Sequence, residues 1–371
     1  MVDPHHLVNN ASELLSPSLL IYPRLIRHNL HEMISLAGGA GRLRPHVKTH
    51  KMADVVRLIE SSGIRKHKCA TIAEAEMVAA AGGTDVLLAY PLTGPNLKRF
   101  VYLARGYRST TFRATVDNSE AARALSAAAE GLGAPVPVLV DLEIGMGRTG
   151  IQPGDAAAEL YALIDRLPNL VPDGLHAYDG HIHETDLDKR RQEAQSGLES
   201  TLALRERLLK RGLPVPRLVV GGTPTLPIHA KLDLPGLECS PGTTVLHDNS
   251  YLTRYPDLPF IPAALLLTRV VSHPSAGRVC FDLGYKAVAS DPVGPRARFL
   301  SLDDARPVVH SEEHMVVETS HAESLPVGTP LFAIPTHVCP TVALHRRAYV
   351  VEDGEVVGQW EVTARDRVLG V

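Results

Sequence analysis

From about residue 18 to 250, short aliphatic runs alternate with longer stretches whose apolar positions recur every three to four residues. "SLLIYP" precedes "RLIRHNLHEMISLAGG", "RPHVKT" precedes "MADVVRLIESSG", and "KCATI" precedes "AEAEMVAAAGG". "DVLLAYP", "FRATVD" and "VPVLVDLE" are each followed by an amphipathic segment in the same way. Glycine often closes the helical stretches, as expected at a C-cap. About eight such β/α units predict an α/β fold built on a closed parallel (β/α)8, TIM-like barrel. A doubly wound open sheet is the alternative, but no GxGxxG opens the first helix. Near residue 255 the period changes. "AALLLTRVVSHP", "GRVCFDLGYKAV", "HMVVETS" and "TPLFAIPT" are short β-type runs joined by turns. "VEDGEVV" predicts a hairpin with Asp-Gly at its turn. The expected division is a barrel over residues 18–252 and a mainly antiparallel β domain from residues 1–17 plus 253–371.

Composition narrows the function classes. A net charge of −3 over 371 residues gives no electrostatic case for nucleic acid. The longest apolar runs are far too short to span a membrane. The N-terminus is polar and acidic, without a secretion pattern. The four cysteines lie far apart with no CxxC, so a reducing cytoplasm is expected. Histidine is abundant at 18 residues, and clusters at His46/His50 and at His176, His181 and His183.

The stretch "RLRPHVKTHK" (42–51) raises the chemical question. In an extended strand Arg44, His46, Lys48 and His50 share one face. A lysine among cations has a lowered pKa, and a neutral amine can form a Schiff base with an aldehyde. A solvated basic strand edge is the plainer reading. Three later segments add to the first. "VDLEIGMGRTGI" puts Arg148 in a Gly-rich loop after an apolar strand. "VVGGTPT" and "CSPGTT" run strands into turns whose free amides suit a phosphate, at the place where barrels commonly bind one. A tight turn also explains either glycine pair.

In this order, "RPHVKTHK", "GMGRTG", "GLHAYDGH", "GGTPT" and "SPGTT" resemble the D-threonine aldolase and D-serine dehydratase group. That group shares the alanine racemase type of pyridoxal 5'-phosphate (PLP) barrel, and the likeness covers about residues 18–366. It implies that Lys48 is the Schiff-base lysine. It places Arg148 near the PLP phenolic oxygen and Tyr178 near the ring, with Gly222, Thr223, Gly242 and Thr243 on the phosphate. Ser240 stands where alanine racemase has the arginine that faces the pyridine nitrogen, so racemization is not the obvious chemistry. A homodimer is also implied.

"PTHVCPT" carries a second signal. His337 and Cys339 share a face if extended, and imidazole with thiolate suits zinc. A buried cysteine beside a surface histidine is the plainer explanation. The resemblance favours a metal, because the D-serine dehydratases place zinc on His and Cys at this spacing, while the aldolases more often have aspartate second. Zinc is expected from ligand softness, with manganese as the alternative. Glu313, His314, Asp282 and Lys286 match the same domain and either brace the site or serve turn and sheet polarity. The implied activity is a lyase on β-hydroxy-D-amino acids. Dehydration to a 2-oxo acid and ammonia is favoured over retro-aldol cleavage to an aldehyde and glycine. In the second case His337, His181 or His183 would be the base. Two other classes stay open: a metal-dependent barrel hydrolase using His181 and His183 with His46 and Asp248, and a PLP-binding carrier without catalysis.

Overall fold

The computed structural model describes residues 4–371; residues 1–3, part of the expected 1–17 segment, lie outside the described residues. The chain divides into two compact units. One holds the residues up to Glu32, Thr49–Met52 and Thr243–Arg365; the other holds Met33–Lys48, Ala53–Gly242 and Asp366–Val371.

The first apolar run forms β1 (Ser18–Ile21), followed by α1 (Pro23–Ala37). Contrary to the sequence reading, β1 is not a barrel strand; it belongs to the antiparallel-rich sheet described below. The parallel sheet has seven strands: β2 (Lys66–Cys69), β3 (Asp85–Leu88), β4 (Thr111–Val116), β5 (Val136–Leu142), β6 (Leu170–Ala177), β7 (Leu218–Val220) and β8 (Leu237–Cys239). Helices α2 (Ala53–Ser61), α3 (Ile72–Ala80), α4 (Pro95–Gly106), α5 (Ser119–Ala128), α6 (Asp155–Arg166), α7 (Leu187–Lys210) and the short α8 (Leu226–His229) alternate with them. Several helices start on side-chain caps: Thr71, Asn118 and Asp186 each accept an N–H of the first turn.

The place of an eighth strand is taken by an irregular segment. Leu43 bridges Cys239 of β8, and His46 bridges Lys68 of β2, both in parallel sense. The Arg44 N–H donates to the Cys239 carbonyl (2.9 Å), the His46 N–H to the Pro241 carbonyl (2.8 Å), and the Lys68 N–H to the Pro45 carbonyl (2.9 Å). The two sheet edges thus meet through residues 43–46. Pro45 has no N–H for a ladder, and the chain turns into a 3-10 helix at Val47–Thr49. The alternation expected for residues 44–50 therefore stops at His46.

Arg44 has no place in a basic row. Its side chain is fully buried near the N-terminal ends of the strands, with Nε 2.6 Å from Glu238 and Nη1 2.6 Å from Asp85. Arg113 bonds Asp85 (2.7 Å) and Asp173 (2.6 Å), Arg217 pairs with Asp173, and Lys66 bonds Glu238 (2.8 Å). Charges buried this deeply are tolerated only when paired.

In the other unit α9 (Asn249–Arg254) precedes β9 (Ala264–Ser275), β10 (Arg278–Phe281), β11 (Ala297–Phe299), β12 (Arg306–His310), β13 (Met315–Glu318), β14 (Pro330–Pro335), α10 (Val338–Leu344), β15 (Arg347–Glu352) and β16 (Glu355–Glu361). The sheet order is β12-β13-β10-β9-β1-β15-β16, with β14 on β9 and β11 on β14. All pairs are antiparallel except β1 with β15. Leu265, Leu266 and Leu267 of β9 are all buried, so this half of the strand is covered on both faces. The expected hairpin joins β15 to β16. Asp353 and Gly354 both take positive φ, as a type I′ turn needs.

Candidate active site

The barrel unit gathers one aromatic ring and several cations. Tyr178 directly follows β6. Lys48, half-buried in its 3-10 turn, has Nζ 5.9 Å from the Tyr178 ring centroid. The Arg148 guanidinium lies 5.2 Å from the same centroid and Lys68 Nζ 5.3 Å. The Lys48 backbone N–H donates to His46 Nδ1 (3.3 Å), which ties the turn to the stave before it. Lys48 and Arg148 thus lie together over the Tyr178 ring.

Arg148 is held by its own loop. The Glu143 carboxylate accepts the N–H groups of Gly145 (2.5 Å), Gly147 (2.7 Å) and Arg148 (3.3 Å). Gly145 has φ +129°, and a Cβ there would lie 2.5 Å from His181 Nε2. His181 is set against this turn, in a cavity of about 540 Å3 that Glu143, Gln152 and Glu193 also line.

Strands β5 and β6 carry a pair that sequence reasoning missed. His176 on β6 is hydrogen-bonded through Nδ1 to Asp141 on β5 (2.6 Å), and Asp141 also accepts from the Thr149 hydroxyl (3.0 Å). Burial lowers the His176 pKa, against the pull of Asp141. Burial works to raise the Asp141 pKa, but its bond to His176 keeps it below the ordinary value. His176 Nε2 is buried without a partner among the described residues. The period-2 pattern of "GLHAYDGH" was the available signal: His176 and Tyr178 are two apart.

Both Gly-rich turns follow short strands. At Gly221 φ is +79°, and a Cβ would meet His229 at 2.7 Å. The Gly222 N–H donates to Thr225 Oγ1 (3.1 Å), whose hydroxyl donates to Asp179 (3.0 Å); His229 Nε2 bonds the other Asp179 oxygen (2.7 Å). The Gly242 N–H donates to Thr223 Oγ1 (3.3 Å), so the two turns touch. The Ser240 hydroxyl donates to the Arg44 carbonyl (2.7 Å).

The second unit carries the His/Cys pair, with a correction to its setting. Residues 337–339 are not extended: His337 caps α10, and Cys339 lies in its first turn. His337 Nδ1 is bonded to Asp291 (2.5 Å), which orients the imidazole. Burial would lower the His337 pKa, but its bonds to Cys339 and Asp291 outweigh this and raise it to about 9. Cys339 Sγ lies 3.2 Å from the hydroxyl of Thr49, the residue after Lys48 in sequence, and 3.9 Å from that of Thr243. Asp248 is fully buried and accepts the N–H groups of Tyr251 (3.0 Å) and Val338 (3.1 Å), so it sets the start of α10; burial raises its pKa to about 6. Lys286 pairs with Glu312 and Glu313 on the surface. Asp282 accepts from Thr268 and the Arg269 N–H, and the His314 carbonyl closes a turn.

Among the described residues no group of three or more His, Cys, Asp or Glu side chains is placed to hold a metal. The hydrolase cluster is therefore not assembled. His46 serves the Lys48 turn, His183 is exposed, and Asp248 caps α9.

The barrel residues fit pyridoxal phosphate: an amine and a guanidinium over one ring, and a buried His176 Nε2 without a partner among the described residues; the glycine turns expected to take the phosphate have their Gly222 and Gly242 N–H groups on threonine hydroxyls. His337 and Cys339 fit a divalent metal with two protein ligands and open positions. A family model described as the alanine racemase N-terminal domain matches residues 21–246. The chain belongs to the alanine racemase N-terminal domain family. A model described as a putative serine dehydratase domain matches residues 263–351 of this family member. It is 28% identical to a D-threonine aldolase of Arthrobacter sp, over 94% of this chain and 92% of that one. It is 26% identical to the D-threo-3-hydroxyaspartate dehydratase of Delftia sp. (strain HT23), over 93% and 96%. The crystal structure of D-threonine aldolase from Filomicrobium marinum superposes with a TM-score of 0.89 at 28% identity, covering 98% of this chain and 99% of that one. These relatives of the alanine racemase-like chain are thus named an aldolase and a dehydratase, both lyase names. No helix among the described residues is long and apolar enough to cross a membrane.

Proposed function

We propose that this chain is a PLP- and divalent-metal-dependent lyase of β-hydroxy-D-amino acids that removes water and ammonia to leave a 2-oxo acid. The observation that carries the reading is the Lys48 amine facing the Tyr178 ring, with Arg148 stacked on that ring and His176 Nε2 buried without a partner. When bound, the cofactor supplies an electron sink for bonds at Cα, and the metal a Lewis acid for the β-hydroxyl. Lys48 holds the cofactor aldehyde between turnovers and takes the α-proton once released. Gly222, Thr223, Gly242 and Thr243 hold the phosphate, and Arg148 the phenolic oxygen. His337 and Cys339 hold the metal, and Asp291 orients His337. Ser240 offers the pyridine nitrogen a neutral partner, which disfavours racemization. The thiol at position 339, against the aspartate expected in an aldolase, favours dehydration.

Retro-aldol cleavage is the second reading, supported by the aldolase relative at 28% identity over 94% of the chain. Then a histidine, His337 or His181, accepts the hydroxyl proton. A cytoplasmic homodimer goes with either reading. The test incubates the protein with D-serine, D-threonine and D-threo-3-hydroxyaspartate, with and without added zinc or manganese. Pyruvate, 2-oxobutyrate or oxaloacetate with ammonia supports dehydration. Glycine with acetaldehyde or glyoxylate supports the aldolase. Neither product set from any of the three overturns both readings.

A further inference from the structure

The barrel holds a second lysine that the proposed reaction leaves unused. Alternation along β2 explains its placement. His67 points out to Glu60, Lys66 reaches Glu238 at one end of the barrel, and Lys68 points inward beside the stave that carries Lys48. Lys68 is 2% exposed, and its amine faces the same Tyr178 ring as Lys48. Lysine is almost never fully buried unless it is paired.

The charged groups around Lys68 come from every neighbouring element. The stave supplies Arg44, His46 and Lys48; β5 supplies Asp141; β6 and the loop after it supply His176, Tyr178 and Asp179; the Gly-rich loop supplies Arg148. Asp141 is already bonded to His176 and Thr149, and Asp179 to Thr225 and His229, so neither carboxylate is free to give Lys68 a full ion pair. Burial, then the nearby Lys48 charge, lowers the Lys68 pKa to about 7. Near neutral pH about half of these amines carry no proton, which suits a base working at that pH.

We propose that Lys68 is the proton acceptor for Lys48 when the chain takes up its aldehyde cofactor. This rests on the role of Lys48 given above. One proton passes from Lys48 Nζ to Lys68 Nζ, directly or through one water, and Lys68 becomes the ammonium. The Lys48 lone pair then forms the carbon–nitrogen bond. Lys48 gives its two remaining amine hydrogens to the aldehyde oxygen, which leaves as water. No oxidant or other reactant is needed. Lys68 acts through Lys48 and is a positioning residue in this sense.

The test follows cofactor uptake by the apo chain in stopped flow, from pH 5.5 to 9, by the absorbance of the Lys48-linked chromophore. In the wild type the uptake rate rises with pH through an inflection near 7. Lys68→Met, and Lys68→Arg as a variant that keeps the cation and length, lose that inflection. At pH 7.5 both load roughly a hundredfold more slowly, the low end of a general-base contribution. The amount of cofactor bound at completion is unchanged, and methylamine in the buffer restores part of the rate. Uptake by both variants at the wild-type rate overturns this inference alone. A wild type that takes up no cofactor overturns the reading of Lys48 and this inference with it.

Discussion

Replacing Arg44 by methionine tests the anchoring of the segment that delivers Lys48. The arginine side chain is fully buried and bonds two carboxylates at 2.6 Å each, while its backbone closes the ring onto β8. Removing one partner of a buried ion pair costs about 3–5 kcal/mol. Here Glu238 keeps Lys66 at 2.8 Å and Asp85 keeps Arg113 at 2.7 Å, so part of the loss is offset. We expect about 2–3 kcal/mol, or roughly 30- to 150-fold lower hydrogen-exchange protection at the Arg44, His46 and Lys68 amides at pH 7. The sign with pH follows from the carboxylates. Burial works to raise the pKa of Asp85 and of Glu238, but Arg44 and the other cations hold both below their ordinary values. A depressed folded pKa stabilises above the unfolded pKa and loses that effect as pH falls through the folded value. The deficit of the variant is therefore full at pH 7 and shrinks below about pH 4. Thermal melts of both proteins across pH 3–7 measure it. Protection within about threefold of wild type, on the order of 0.6 kcal/mol, would refute the argument. A deficit that stays constant down to pH 3 would assign the loss to packing instead of charge.

Lys48→Ala removes the borohydride-fixed cofactor label from the peptide holding residue 48 and lowers turnover by at least about a thousandfold; mass mapping and the product assay check this. Asp291→Asn leaves the fold intact but releases His337 from its carboxylate, and metal affinity falls by about 10- to 100-fold in a chelator competition. Gly221→Ala strains a position at φ +79° and drives a methyl toward His229. About 1–3 kcal/mol of stability is lost, with weaker binding of phosphate-bearing cofactor, read by melts and by equilibrium titration.

Much of the barrel was legible because its signals are local. Period-3.6 stretches became α2–α7 and apolar runs became β3–β8, and the Asp-Gly turn became the β15–β16 hairpin at its expected place. Lys48, Arg148 and Tyr178 could be chosen as a group through motif order and resemblance. The signal for Lys68 was present too, in the basic string Lys66-His67-Lys68 at the start of a β-type run, but its weight appears only once the strand has an inside.

Local pattern cannot say which sheet a short apolar run joins. "SLLI" reads the same in either, and partners almost 250 residues away, β9 and later β15, claim it for the antiparallel-rich sheet. The basic string at 42–51 reads as one strand until Pro45 interrupts the ladder and acids from β3 and β8 take Arg44. "THVCP" reads as extended until Asp248, 90 residues earlier, accepts the Val338 N–H and a helix starts there. Composition and period act over a few residues, and they determined the elements and the candidate chemistry. Hydrogen bonds and charges between residues far apart in sequence act only after the chain has closed on itself, and they decided which side chains face one ring.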